Sequence, residues 1–160
     1  GILRVFDRMG VRYRLENERQ VCGEPVADIR TFRSPLRALT VGREDIPSLI
    51  DELPVIAVLC ALAEGESVIA GAEELRVKES DRIRTTAEMI RAVGGEIEER
   101  PDGFVIRGKR SLAGGTVRSC GDHRIAMSGA VALAASTNGG QIEGEECVAI
   151  SFPQFFSMLN

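Results

Sequence analysis

The chain repeats itself, and in one consistent order. Asp51-Glu52-Leu53-Pro54-Val55-Ile56-Ala57 aligns with Asp122-His123-Arg124-Ile125-Ala126-Met127-Ser128 at a spacing of 71 residues. The match resumes at Ala61-Leu62-Ala63 against Ala132-Leu133-Ala134. Leu36…Thr40-Val41 upstream answers to Leu112…Thr116-Val117, and Glu73-Glu74 downstream to Glu145-Glu146. Met9-Gly10-Val11 resembles Val93-Gly94-Gly95. Matches in a shared order at a period of this size indicate a supersecondary unit used more than once.

One whole unit reads between the matches. Ala38–Gly42 is a short strand candidate and Glu66–Ala70 a second. Asp51–Glu64 is apolar nearly all round, which predicts a helix buried on every side. Ser80–Val93 is amphipathic; Ser80 or Asp81 can cap its start, and Gly94-Gly95 stops it. Gly95–Glu99 and Phe104–Gly108 form a hairpin about Arg100-Pro101-Asp102-Gly103, where Pro and Gly suit a type I turn. The predicted class is α/β, with unit order β-α-β-α-β-β. Residues 1–35 read as the tail of one unit, 36–109 as a complete unit and 110–160 as the start of another. The chain is therefore expected to be part of a longer protein.

Composition removes several classes of function. The 160 residues carry 20 Lys+Arg against 24 Asp+Glu, a net charge of −4. Nucleic-acid binding rests on a basic excess, which is missing. One Tyr, six Phe and no Trp are too few for a base-stacking platform. Cys22, Cys60, Cys120 and Cys147 show no metal-ligand spacing and His123 is the only histidine, so no metal site is expected. The cysteine pattern suits a reducing, cytoplasmic setting. The longest apolar run, Leu53–Ala63, falls short of the roughly 18 residues a membrane span needs.

Chemistry concentrates at three helix starts. Arg76-Val77-Lys78-Glu79-Ser80-Asp81-Arg82 sets cations where a helix dipole disfavours them and anions are attracted. A solvated, capped helix start is the plainer alternative. Gly121-Asp122-His123-Arg124 opens the second apolar helix, with Asp122 as its N-cap. Arg124 there needs a partner, either Asp122 or a bound anion. The ordinary histidine range would allow acid–base work at His123, but nothing in the sequence selects that role, and capping or packing is the plainer reading. Asp51 takes the repeat position of Asp122 and is either a cap or a site carboxylate. If repeats pack side by side, Asp51, Lys78, Glu79, Arg82 and Arg124 converge on one cleft. That is two carboxylates among three cations, a set suited to a phosphate- and carboxylate-bearing substrate.

Arg76–Ile83 and Gly121–Met127 resemble signature segments of the 5-enolpyruvylshikimate-3-phosphate (EPSP) synthase family, the 3-phosphoshikimate 1-carboxyvinyltransferases. Gly23-Glu24-Pro25-Val26-Ala27-Asp28-Ile29, Ile50-Asp51-Glu52-Leu53-Pro54 and Ser151-Phe152-Pro153 are similar to the same family, in family order. The resemblance implies an inside-out α/β fold, two domains of three βαβαββ units each, with helices inside and sheets outside. It implies transfer of the enolpyruvyl group of phosphoenolpyruvate to the 5-hydroxyl of shikimate 3-phosphate, by addition and elimination, with release of phosphate. No metal or organic cofactor is expected, and the full-length protein is expected to be a monomer.

By the same resemblance Asp51 is the proton acceptor beside the attacking hydroxyl, and Glu79 the acid–base glutamate. Lys78 contacts shikimate 3-phosphate, and Arg82 and Arg124 bind phosphoenolpyruvate. Guanidinium geometry suits bidentate pairing with carboxylate or phosphate. Two departures stand out. Ile150 occupies a position where some members carry a lysine that reaches phosphoenolpyruvate. The chain is also under half the family's usual length and matches its C-terminal part. The N-terminal domain, with most contacts to shikimate 3-phosphate, is therefore a missing partner, and the chain alone is expected to be inactive. Two other readings stay open: enolpyruvyl transfer to UDP-N-acetylglucosamine, whose enzymes place a cysteine near a Gly-rich loop, and a non-catalytic domain of this fold.

Overall fold

The computed structural model describes residues 1–159. It opens with α1 (Ile2–Met9) and the hairpin β1 (Arg12–Val21) and β2 (Glu24–Phe32). Then come β3 (Thr40–Val41), α2 (Leu53–Ala61), β4 (Glu66–Ile69), α3 (Arg82–Ala92), β5 (Glu96–Arg100) and β6 (Gly103–Arg107). The chain continues through β7 (Gly115–Arg118), α4 (His123–Ala134), β8 (Gly140–Glu143) and α5 (Phe155–Leu159). Short 3₁₀ turns at Glu73–Val77 and Glu145–Ile150 follow β4 and β8.

Hydrophobicity decides the layering. α2 has no polar face, and Leu53, Ile56, Ala57, Cys60 and Ala61 are all fully buried. α4 is apolar apart from its first turn, and it buries Ile125, Ala126, Ala132 and Leu133. A helix with no polar face stays out of water only inside, so α2 packs against α4, with α3 beside both. Each fully buried Leu or Ile contributes about 1.5–3 kcal/mol over its exposed state.

The sheets lie outside this helix layer. β3-β4-β6-β5 form one sheet, parallel between β3 and β4 and antiparallel elsewhere. β7 and β8 pair in parallel. The segments β3-α2-β4 and β7-α4-β8 share the same order, the same parallel pairing and a following 3₁₀ turn. The chain is thus a mixed α/β fold with helices within and sheets without. β1 and β2 form a separate hairpin. Cys22 and Gly23, both at positive φ, make its two-residue turn, the conformation that fits the twist of paired strands. Among the described residues no helix is long and apolar enough to cross a membrane.

One helix start decides between the two readings of its carboxylate. Asp51 does not cap α2. Glu52 takes the cap position with helical backbone angles and no side-chain capping bond, and Pro54 follows within the first turn. Capping needs an extended residue at that place, so the Asp51 carboxylate is left to face neighbouring segments.

Candidate functional site

Asp81 caps α3 by accepting the Arg84 amide at 3.2 Å. Arg82 is then the first helical residue, and its guanidinium is 1% exposed. A buried cation at a positive dipole end carries a double cost, desolvation and repulsion. Three carboxylates offset it. Arg82 Nε donates to Asp122 Oδ2 at 2.8 Å, and Nη2 reaches Asp122 Oδ1 at 3.4 Å. Nη1 donates to Asp51 Oδ1 at 3.0 Å, and Nη2 pairs with Glu79.

Asp51 joins two cations. Its Oδ2 lies 3.3 Å from Arg124 Nη2, and its main-chain carbonyl accepts from Arg124 Nη1 at 3.1 Å. The starts of α2, α3 and α4 are therefore tied by one ionic cluster. Asp51 and Glu79 are about half exposed, at 44% and 52%, and Arg124 remains partly accessible. The cluster is a surface-reaching set of guanidinium donors with two accessible carboxylates. That combination can hold an oxyanion and move a proton.

From sequence Asp122 is a cap and one of two candidate partners for the Arg124 side chain, which in the structure pairs with Asp51 instead. Asp122 is a cap, accepting the Arg124 amide at 2.9 Å, and it is also the buried counter-ion of Arg82. The cation at the start of α3 is a partial signal: if it is buried, it needs a buried carboxylate as partner. Nothing local identifies which one, because the pair is 40 residues apart. Burial pushes the Asp122 carboxyl up, but Arg82, the Arg124 amide and Ser80 outweigh burial and hold it below the ordinary aspartate value. Burial pulls the Arg82 guanidinium down, yet Asp122, Glu79 and Asp51 keep it above its usual value.

Asp51, Glu79, Arg82 and Arg124 come together. Lys78 does not join them: its ammonium pairs with Glu74 one turn back, at 2.9 Å. The expected excess of cations is thus absent, and two arginines meet three carboxylates. His123 opens α4, partly exposed, beside Arg124. Ile150 ends the last 3₁₀ turn and is 84% exposed. Among the described residues no group of His, Cys, Asp or Glu is placed to hold a metal ion.

The sequence profile of EPSP synthase (3-phosphoshikimate 1-carboxyvinyltransferase) matches residues 1–159. The 3-phosphoshikimate 1-carboxyvinyltransferase of Syntrophomonas wolfei is 53% identical over the whole chain, and that of Gloeobacter violaceus is 50% identical over 99% of it. The chain spans only 38% and 37% of those proteins. An EPSP synthase structure from Acinetobacter baumannii superposes with a TM-score of 0.91 at 39% identity, over 98% of this chain and 37% of that one. The enolpyruvyl transferase NikO of Streptomyces tendae, at 23% identity and a TM-score of 0.71, covers 99% of this chain and 34% of its own; it shares the fold. With the profile matched along all the described residues, this chain belongs to the EPSP synthase family.

Proposed function

We propose that this chain is part of an enzyme that transfers the enolpyruvyl group of phosphoenolpyruvate to the 5-hydroxyl of shikimate 3-phosphate, releasing phosphate. The observation that carries the reading is the Asp51 carboxylate held between the guanidinium groups of Arg82 and Arg124 at three converging helix starts. Arg82 and Arg124 bind the phosphate and carboxylate of phosphoenolpyruvate, since guanidinium groups match both in bidentate fashion. Asp51 accepts the proton of the attacking hydroxyl, and Glu79 is the acid–base partner on the other side of Arg82. Lys78 contacts shikimate 3-phosphate. Its exposed i,i+4 pair with Glu74 is worth only about 0.3–0.5 kcal/mol, so an anionic substrate recruits the ammonium at little cost.

The chain supplies part of a C-terminal domain: residues 1–35 end one βαβαββ unit, 36–109 make a complete one and 110–160 begin another. An N-terminal domain of the same polypeptide completes the cleft, and the full-length protein acts as a monomer in the cytoplasm. The deciding experiment measures phosphate release by the full-length polypeptide from phosphoenolpyruvate with two acceptors in parallel. Release with shikimate 3-phosphate and none with UDP-N-acetylglucosamine is the expected result. The reverse pattern, or release with neither, contradicts the proposal.

A further inference from the structure

Arg82 has two edges, and they are held differently. The Nε edge faces Asp122, which is 0% exposed. The Nη1 and Nη2 tips face Asp51 and Glu79, which are about half exposed. Solvent reaches the second pair and not the first. Asp51 and Glu79 can therefore yield their places on the guanidinium to an incoming anion, while Asp122 cannot leave without stranding a buried charge.

Asp122 is also satisfied on both oxygens. Oδ2 accepts from Arg82 Nε and from Ser80 Oγ at 3.0 Å. Oδ1 accepts from the Arg124 amide at 2.9 Å. One carboxylate thus ties the guanidinium on α3 to the backbone of the residue that carries the second guanidinium, on α4. We infer that Asp122 is a positioning residue: it fixes the spacing of Arg82 and Arg124 so that both meet one phosphate- and carboxylate-bearing substrate together. The inference rests on the transfer reaction proposed above.

Asp122→Asn separates this role from helix capping, because asparagine caps a helix as well as aspartate does. If Asp122 only caps α4, the variant behaves as the unsubstituted protein. If it positions Arg82, the lost charge and the amide facing Nε free the guanidinium to turn. The full-length variant then shows a KM for phosphoenolpyruvate raised roughly 10- to 100-fold, the range set by hydrogen bonds to charged groups. The KM for shikimate 3-phosphate stays within about two-fold, since the two guanidinium groups that Asp122 spaces are assigned to phosphoenolpyruvate and not to that substrate. An unchanged phosphoenolpyruvate KM, or equal rises for both substrates, overturns the inference. Should Asp122→Asn fail to fold, Ser80→Ala leaves every charge in place and removes one donor to Asp122. It is expected to raise the same KM selectively, by roughly 2- to 10-fold, and no selective rise contradicts the role.

A second readout needs no turnover. In protein labelled with ¹⁵N-arginine, the Arg82 Nε–H gives a resonance protected from exchange, and Asp122→Asn or Ser80→Ala weakens that protection. Protection unaltered in both variants overturns the anchor. Lack of enolpyruvyl transfer by the unsubstituted protein instead overturns the reaction, and the exchange measurement then decides the anchor alone.

Discussion

Arg82 is placed where a helix accepts a cation least readily. It is the first residue of α3 and fully buried, and it stays charged because Asp122, Asp51 and Glu79 surround it. The arrangement has a pH consequence. The Asp122 carboxyl titrates below its ordinary value of 3.8 in the folded protein. Its contribution to stability is thus fully present above that value and is lost as pH falls through the folded one. Urea unfolding followed from about pH 5 down to about pH 2 should show an acid loss of stability that is smaller in Asp122→Asn. An acid loss of equal size in the variant means that Asp122 is not the group responsible. The cysteines offer a second check. Burial pushes the Cys60 thiol up to about 11, and Cys147 is buried while Cys22 and Cys120 are exposed. A maleimide at neutral pH should label Cys22 and Cys120 in the folded protein and reach the other two only in denaturant. Native labelling of Cys60 contradicts the packing of α2.

At the scale of elements, the close approach of α4 to β7 sets a steric limit. A Cβ on Gly129 would meet Val117 Cγ1 at 2.7 Å, and Val117 is fully buried in the sheet wall. Alanine gains about 1 kcal/mol of helix propensity over glycine. Overpacking of this kind costs about 1–3 kcal/mol. Gly129→Ala should therefore lower the melting temperature despite its better propensity, and a raised melting temperature shows that the helix has room to shift.

The elements themselves were legible. α2 and α4 announce burial by lacking a polar face, and α3 is bounded by Asp81 and Gly94 as its pattern predicts. The same logic found Asp51, Glu79, Arg82 and Arg124 by asking which charges sit at those helix starts. It left open or missed what backbone angle or a distant partner decides. The helical geometry of Glu52 moves the cap away from Asp51. Lys78 turns back to Glu74 along its own 3₁₀ turn. The Arg82–Asp122 pair depends on how α3 and α4 pack, which no local pattern encodes.

For the whole molecule, the hairpin of β1 and β2 stands apart. Most of its residues are exposed, Leu15, Ile29 and Phe32 among them, whereas α2 and α4 are sealed in the core. The site also opens outward through Asp51, Glu79 and Arg124, and the chain spans under two fifths of its relatives. Orientation of two bound reactants supplies up to roughly 7–11 kcal/mol of barrier reduction, which the proposed reaction would draw from a cleft completed by a second domain. The 160-residue chain alone should release no phosphate from phosphoenolpyruvate with shikimate 3-phosphate present, and measurable release contradicts the need for a second domain. In the proposed reaction labour divides at the shared carboxylate: Asp51 would move a proton and Arg124 would bind an anion. Steady-state kinetics of the full-length protein test it directly. Asp51→Ala should lower kcat about 100- to 10,000-fold, the usual loss on removing a general base, whereas Arg124→Ala should mainly raise the KM for phosphoenolpyruvate. Near-normal turnover in Asp51→Ala together with unchanged phosphoenolpyruvate affinity in Arg124→Ala would contradict both roles.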